Sequence, residues 1–281
     1  NPVRSADAEG ITFYAVSHAD NTLYVLHQKA DGSVRVMQLL SNDITGDFGL
    51  VDQGLAGAKT LTVSPDGRFV FVGATQQGEA TGRIAVYERA SFTREVTSPV
   101  TGQLVTETVD GLRPVDGAIF DTTVFQTGAG QRNEVANLAM DPSGRFLYAS
   151  GVNGTQVFQV NTATGAITSV ATMPERFTDL EFLELPDGTL QAYGVHNVAA
   201  TVNTQPLSEL VVYTVGGDGT LSRIGRIDTR LSDASSVIIG PAIEQVEGST
   251  STNIPQGRFI YVASAGNSSI VVLEQFNLEG K

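Results

Sequence analysis

Short stretches in which apolar and polar residues alternate recur along the whole chain. They are rich in β-branched and aromatic residues and are bounded by Gly, Pro, Asp or Asn, as at 11–17 (ITFYAVS), 68–74 (RFVFVGA) and 145–151 (RFLYASG). Apolar residues at helical spacing are hard to find over windows of about 11 residues. The pattern therefore predicts a nearly all-β protein.

One motif, a Pro-x-Gly-Arg-Phe turn followed by an aromatic strand, occurs three times, at 64–72 (SPDGRFVFV), 141–149 (DPSGRFLYA) and 254–262 (IPQGRFIYV). In such a turn Pro presets φ and Gly supplies a positive φ, so we expect Gly67 and Gly144 in the left-handed region. The following residues begin the second strand of each repeat. We expect the aromatic residue to pack between repeats and the arginine to hold neighbouring carbonyls or carboxylates, at Phe69, Phe146, Phe259, Arg68, Arg145 and Arg258.

Each repeat contains an apolar first strand, the turn, an aromatic second strand, a third strand and a Gly- or Asp-containing turn into a fourth. Four antiparallel strands per repeat is typical of a β-propeller blade. The sequence predicts one β-propeller domain over 1–281 with five recognisable blades, roughly at 11–50, 58–100, 135–172, 177–230 and 235–276.

The spacing of the repeats is irregular. Pro65, Pro142, Pro186 and Pro255 lie 77, 44 and 69 residues apart, whereas one blade takes about 40–50 residues. We assign the first surplus to an insertion at 100–130 that forms an extra hairpin. Both terminal blades have three strands instead of four, which indicates either an unusual ring closure or a segment of a longer chain and a larger propeller.

Charge and cysteine content exclude several function classes. The net charge of −13 arises from 30 acidic and 17 basic residues, and such a field repels nucleic acid and anionic lipid. With no cysteine, the chain has no disulfide, no thiolate nucleophile and no Cys-type zinc site. No apolar run approaches the roughly 18 residues of a membrane span, so we predict no membrane insertion.

At LTVSPDGRFVFV and LAMDPSGRFLYASGVNGTQVFQV the sequence resembles the YVTN-repeat, lactonase-like β-propeller family. The similarity covers most of 11–275 and is specific in those two repeats. Members are usually seven-bladed; they include propeller-type 6-phosphogluconolactonases and many secreted or surface proteins of bacteria. The resemblance implies a secreted, periplasmic or cell-surface bacterial protein. Hydrolytic members carry Pro-Arg-His ahead of the first strand of a blade, and this chain has AGAKTLTV and RNEVANLAM there.

Propeller ligands usually meet loops at one end of the central channel. Segments that enter first strands supply one set of candidate residues to that end, and turns after second strands supply His18 and His196. Imidazoles near carboxylates suit acid–base chemistry or a divalent metal, although no established metal motif is present and we assign no metal site or cofactor. The catalytic candidates are His18, His196, Arg132 and Glu134, and the ligand-binding candidates are Lys59, Arg132, Arg176, Asp179 and Asp233.

These residues leave three functions open. The favoured one is a non-catalytic binding or scaffold module that presents loops at the channel mouth to a protein, a glycan or a small molecule. The alternative is a lactone hydrolase in which rim His, Arg and carboxylates polarise a cyclic ester and activate water. The third is a structural spacer joined to other domains of a longer chain.

Overall fold

The computed structural model describes residues 10–41, 54–75, 82–97, 100–122, 135–197, 207–240 and 258–275. These residues form 18 β-strands in five antiparallel sheets, and no helix occurs among them. The all-β class is therefore confirmed. Within the described ranges, no helical segment is long and apolar enough to cross a membrane.

The chain divides into two compact units, Asn1–Pro174 and Glu175–Lys281. The first unit holds three sheets, and in each of them strands that follow one another in the chain pair side by side. Their strands are β1 (Gly10–Ser17), β2 (Thr22–Lys29) and β3 (Val34–Ser41); β4 (Thr60–Val63), β5 (Phe69–Thr75), β6 (Gly82–Thr97) and β7 (Leu104–Thr122); and β8 (Asn137–Met140), β9 (Phe146–Gly151), β10 (Gly154–Val160) and β11 (Ile167–Met173).

The second unit holds two sheets with the same up-and-down order. The four-stranded sheet contains β12 (Asp179–Glu184), β13 (Leu190–Asn197), β14 (Ser208–Val215) and β15 (Leu221–Leu231). The three-stranded sheet contains β16 (Ala234–Ile239), β17 (Arg258–Ser264) and β18 (Ser269–Gln275). Among the described residues, the first and last sheets have three strands each.

The Pro-x-Gly turns have the predicted conformation. Gly67 and Gly144 have φ of 72° and 70°, a region that favours glycine because it has no Cβ. The residue that starts each turn holds the strand that follows it. The Ser64 hydroxyl accepts a hydrogen bond from the Phe69 N–H at 2.8 Å, and the Asp141 carboxylate accepts one from the Phe146 N–H at 2.8 Å.

The middle sheet of the first unit, β4–β7, is apolar on both faces. Successive side chains of a strand point to opposite faces, so alternate residues of β5 and β6 enter two different cores. Phe69, Phe71, Ile84 and Val86 cluster with Leu138, Leu147, Ala149 and Phe158 of β8–β11. Val70, Val72, Ala85 and Tyr87 cluster with Leu23, Val25 and Leu40 of β1–β3. Both faces are thereby removed from water.

The described part of the segment 100–130, which was predicted to be an insertion that forms an extra hairpin, belongs instead to the β4–β7 sheet. Residues 104–122 form β7, the fourth strand of the β4–β7 sheet, and β6 continues to Thr97 where a separate fourth strand was expected. From Tyr87 to Thr97 the sequence has no Gly, Pro, Asn or Asp, so nothing turns the chain before residue 98. The result is a long two-stranded arm that runs beyond the sheet. Residues 123–130 lie outside the described residues.

A buried glutamine joins this sheet to β1–β3. Gln38 on β3 donates its Nε2–H to the Leu112 carbonyl at 2.9 Å and accepts the Leu112 N–H on Oε1 at 2.7 Å. Its amide thus acts like one residue of a neighbouring strand. A Cβ on Gly111 would lie 2.6 Å from Gln38 Oε1, so the close approach requires glycine.

The aromatic residues after the turns are not equally buried. Phe69 and Phe146 are 1% and 5% exposed, as predicted. Phe259, predicted to be buried in the same way, is only half-buried. The reason is that the face of β17 that carries Phe259 also carries Tyr261, which is 39% exposed, whereas the corresponding face of β5 packs on the next sheet.

The arginines of the motif have structural contacts. Arg68 Nη2 lies 2.7 Å from the Glu88 carboxylate, which also binds Arg113 at 2.6 Å. The Arg145 guanidinium lies over the Phe146 ring, 5.3 Å from its centroid. The role predicted for these arginines, holding neighbouring carbonyls or carboxylates, is confirmed for Arg68, whereas the Arg145 guanidinium contacts an aromatic ring. The Arg258 side chain lies outside the described part of the structure.

Candidate functional site

The predicted site residues fall in different parts of the structure. Arg132 and Glu134 lie outside the described residues. The first unit contains His18 and Lys59, and the second contains four further candidates. Those four are Arg176, Asp179, His196 and Asp233.

His18 holds the loop that precedes β4. Its Nδ1 lies 3.2 Å from the Gly57 carbonyl oxygen, to which a protonated Nδ1 donates, and the Gly57 N–H donates to Asn21 Oδ1 at 2.7 Å. Lys59 lies two residues further along, with an exposed side chain and a backbone N–H that donates to the Gly73 carbonyl. The structure therefore brings His18 and Lys59 to one loop, where the imidazole has a positioning role.

Asp179, the first residue of β12, connects the two sheets of the second unit. Its Oδ2 accepts hydrogen bonds from the Ser236 hydroxyl and the Val237 N–H, both at 2.9 Å, and its Oδ1 accepts the Leu180 N–H at 3.0 Å. The Thr178 hydroxyl lies 3.0 Å from the Ala234 carbonyl oxygen and adds a second link between the same sheets. Asp179 thus fixes the first strand of one sheet against the first strand of the next.

His196 belongs to a row of polar side chains across β13, β14 and β15. It lies opposite Glu209 in the register, with Nε2 at 3.4 Å from Oε2, and Glu209 Oε1 binds Arg226 Nη1 at 3.0 Å. The neighbouring Asn197 donates to the exposed Asp233 carboxylate at 3.2 Å. His196 and Asp233 therefore stabilise one end of this sheet through separate contacts. Arg176 is exposed just ahead of β12.

Sequence reasoning missed Glu181, whose chemistry is the most unusual in the described chain. It lies two residues after Asp179 and so shares a face of β12 with Asp179 and with the buried Leu183. Burial, and secondarily the charge of Asp179, raise the pKa of Glu181 to about 7. The available signal was the pattern DLEFLE, which places two carboxyl groups on the face that also carries a core leucine.

The surroundings of Glu181 explain this shift in pKa. Tyr193 lies opposite it on β13, belongs to the core between the two sheets and has a pKa raised to about 12 by burial. The Tyr193 hydroxyl donates to Gln191 Oε1 at 2.7 Å. Glu181 therefore holds its proton in mildly acidic solution and loses it around neutral pH. It lies beside Asp179, which accepts three hydrogen bonds.

A carboxyl group that holds its proton beside a second carboxyl group can act as a general acid. Glu181 can donate its proton, and the neighbouring Asp179 accepts three hydrogen bonds. Within the described ranges, no group of three or more His, Cys, Asp or Glu side chains is placed to bind a metal ion. The Asp179–Glu181 pair is thus the chemistry that the described site offers.

No protein-family model matches this chain, and no curated protein matches it. A protein from Lactobacillus plantarum of known structure is 16% identical, with 92% of this chain and 66% of that chain covered and a TM-score of 0.44. A protein from Bacteroides fragilis, provisionally described as a 6-phosphogluconolactonase, is 12% identical, with 99% and 84% covered and a TM-score of 0.38. The major Malassezia sympodialis allergen Mala s 1 is 10% identical, with 100% and 95% covered and a TM-score of 0.40. Since all three TM-scores lie below 0.5, we base the function on the residues of this chain.

Proposed function

We propose that this chain is a non-catalytic binding module of a secreted or surface protein of a bacterium, built as a β-propeller of repeated blades. Its loops would contact a protein, a glycan or a small molecule. One observation supports this proposal most: three of the described polar candidates hold the scaffold together. Asp179 joins two sheets, His196 joins strands through Glu209, and His18 holds a loop.

The propeller part of the proposal rests on sheet packing within the first unit. There β1–β3, β4–β7 and β8–β11 stack face to face through two apolar clusters, in the order of the chain. Each sheet is an antiparallel meander, as propeller blades are. A repeated stack of this kind leaves the turns at the ends of the strands to vary without loss of the core.

A lactone hydrolase is the second candidate, and the protonated Glu181 beside Asp179 favours it. In this mechanism the Asp179 carboxylate accepts a proton from a water molecule as its oxygen forms a bond to the lactone carbonyl carbon. Glu181 then donates its proton to the ring oxygen as the ring C–O bond breaks, which gives a hydroxy acid. Asp179 would have to give up part of its hydrogen bonding to Ser236 and Val237 for this role.

The experiment is a hydrolysis assay of the purified chain with γ-butyrolactone and δ-valerolactone at pH 5 to 8, with and without Mg²⁺ or Ca²⁺. We expect no turnover above the rate in buffer. Turnover that is abolished by Glu181→Gln, with the circular dichroism spectrum unchanged, would contradict the binding proposal. Glu184→Gln is the matched control, because Glu184 is an exposed residue of the same strand.

The pH profile separates the two catalytic hypotheses. If Glu181 is the acid, turnover falls as the pH rises above about 7, where its carboxyl group loses the proton. If His18 or His196 is the base, turnover falls as the pH drops, because an imidazole that already carries the proton cannot accept another. Turnover that survives both His18→Ala and His196→Ala removes the histidines from the mechanism.

A further inference from the structure

The last sheet, β16–β18, is apolar on both faces. Its inner face carries Val237, Ile260, Val262 and Val271 into a core shared with Leu183, Tyr193, Val195 and Leu210 of the preceding sheet. The opposite face carries an apolar patch, which we call the open face, formed by Ile238, Tyr261, Ala263, Ile270 and Val272. Ile238, Ile270 and Val272 are 58%, 67% and 54% exposed.

The open face is a continuous patch. The register places Ile238, Tyr261 and Val272 side by side across the three strands, and Ala263 beside Ile270. Three strands about 4.8 Å apart and six residues at about 3.3 Å each give an area of roughly 300 Å². Exposed apolar patches of this size are often interaction sites.

The repeats of this chain indicate what packs on such a face. The Gly-Arg-Phe motif precedes both β5 and β17, so Phe71 and Tyr261 occupy equivalent positions. Phe71 is fully buried in the cluster that β5 forms with Leu147 and Phe158 of β8–β11, the sheet that follows it in the chain. Tyr261 is 39% exposed. The open face therefore has the composition of a face that receives the next sheet.

We propose that the open face is the docking surface for a further antiparallel sheet of the same repeat type, which contacts it through side chains like Leu147 and Phe158. This identifies one interaction surface of the binding module and so rests on the proposed function. The partner is apolar and sheet-like because the five residues of the open face are uncharged and lie side by side on three paired strands.

The open face is too small to hold a second, untethered copy of this chain stably. Stable interfaces bury about 800 Å² on each partner, and the open face offers roughly 300 Å². A tethered sheet needs less contact area, because the tether supplies a high effective concentration. Within the first unit, the tethered sheets β4–β7 and β8–β11 pack through a comparable set of side chains.

The test extends the full chain after Lys281 with a flexible Gly/Ser linker and a second copy of residues 135–174. Because the chain has no cysteine, Ile270→Cys introduces a single thiol on the open face. The rate of maleimide labelling is compared between the extended and the unextended chain. We expect labelling to slow by about tenfold or more, which corresponds to docking favoured by about 1.4 kcal/mol.

Two controls accompany the test. Val105→Cys, on the β6–β7 arm, should label at the same rate in both chains, since Val105 is exposed and lies in the first unit. An extension that carries Leu147→Asp and Phe158→Asp in the added copy only should restore the labelling rate at Ile270→Cys.

Three outcomes overturn the proposal. They are equal labelling with and without the extension, equal slowing by both extensions, and slowing in the unextended chain as its own concentration rises, which assigns the face to a second copy. The lactone assay does not depend on this face, so the docking proposal and the proposed function fail in separate experiments.

Discussion

Replacing Glu181 by glutamine should make the protein more stable at pH 8 and leave it nearly unchanged at pH 4.5 or below. The pKa of Glu181 is raised in the folded state from 4.5 to about 7. The folded state then binds the proton more tightly than the unfolded state, so the stabilisation by this group is complete below pH 4.5 and is lost as the pH rises through about 7. Glutamine keeps the shape of the protonated side chain and has no charge to bury.

The size of the effect follows from the shift. Each pKa unit corresponds to about 1.36 kcal/mol, so a shift from 4.5 to about 7 sets an upper bound of about 3.4 kcal/mol. Glu181 is only partly buried, and solvent screening lowers this to about 1–2 kcal/mol.

The assay is urea unfolding followed by circular dichroism at pH 4.5 and pH 8, because the chain has no tryptophan. The difference in unfolding free energy between Glu181→Gln and the parent should grow by about 1–2 kcal/mol between the two pH values. Glu184→Gln, at an exposed position of the same strand, should show little change. A Glu181→Gln effect of equal size at both pH values would refute the reasoning.

Four further substitutions test the fold. Gly67→Val and Gly144→Val should each lower the melting temperature by the equivalent of about 1–2 kcal/mol, because valine resists a positive φ; unchanged melting of both would contradict the turn geometry. Gln38→Ala should cost about 2–4 kcal/mol in urea unfolding, since it leaves two buried backbone groups of β7 without partners. Asp179→Ala should speed hydrogen exchange of the Val237 amide well beyond the exchange of amides in the first unit.

The parts of the fold that the sequence predicted are those that local chemistry determines. Gly67 and Gly144 were predictable because a Pro-x-Gly turn requires a positive φ whatever surrounds it. The β6–β7 arm was not predictable, because the repeat pattern suggested a turn before the fourth strand, whereas residues 87–97 contain no turn-forming residue. Phe259 was expected to be buried by analogy with Phe69, but burial depends on a neighbouring sheet and is not a property of the motif.

The candidate site was predictable in residue type and not in role. Asp179 was expected just ahead of a first strand and is the first residue of β12, whereas His196 was expected in the turn after a second strand and lies inside β13. Their partners, Val237 of the next sheet and Glu209 of the next strand, depend on packing and register that the sequence alone does not give. The pKa of Glu181 depends on the same packing, since its main cause is burial between two sheets.

The two-sided burial of β5 has a consequence for how this strand finds its alignment. Val70 and Val72 belong to one core and Phe69 and Phe71 to the other, so a slip by one residue would exchange the two sets without leaving any apolar side chain in water. In a sheet with one solvent-exposed face, the same slip would move all the apolar side chains of the strand into water. Burial alone therefore does not distinguish the correct alignment of β5 from its neighbours. That choice falls to side-chain size and to the turn that begins at the buried Ser64, whose hydroxyl accepts the Phe69 N–H and so fixes where β5 begins.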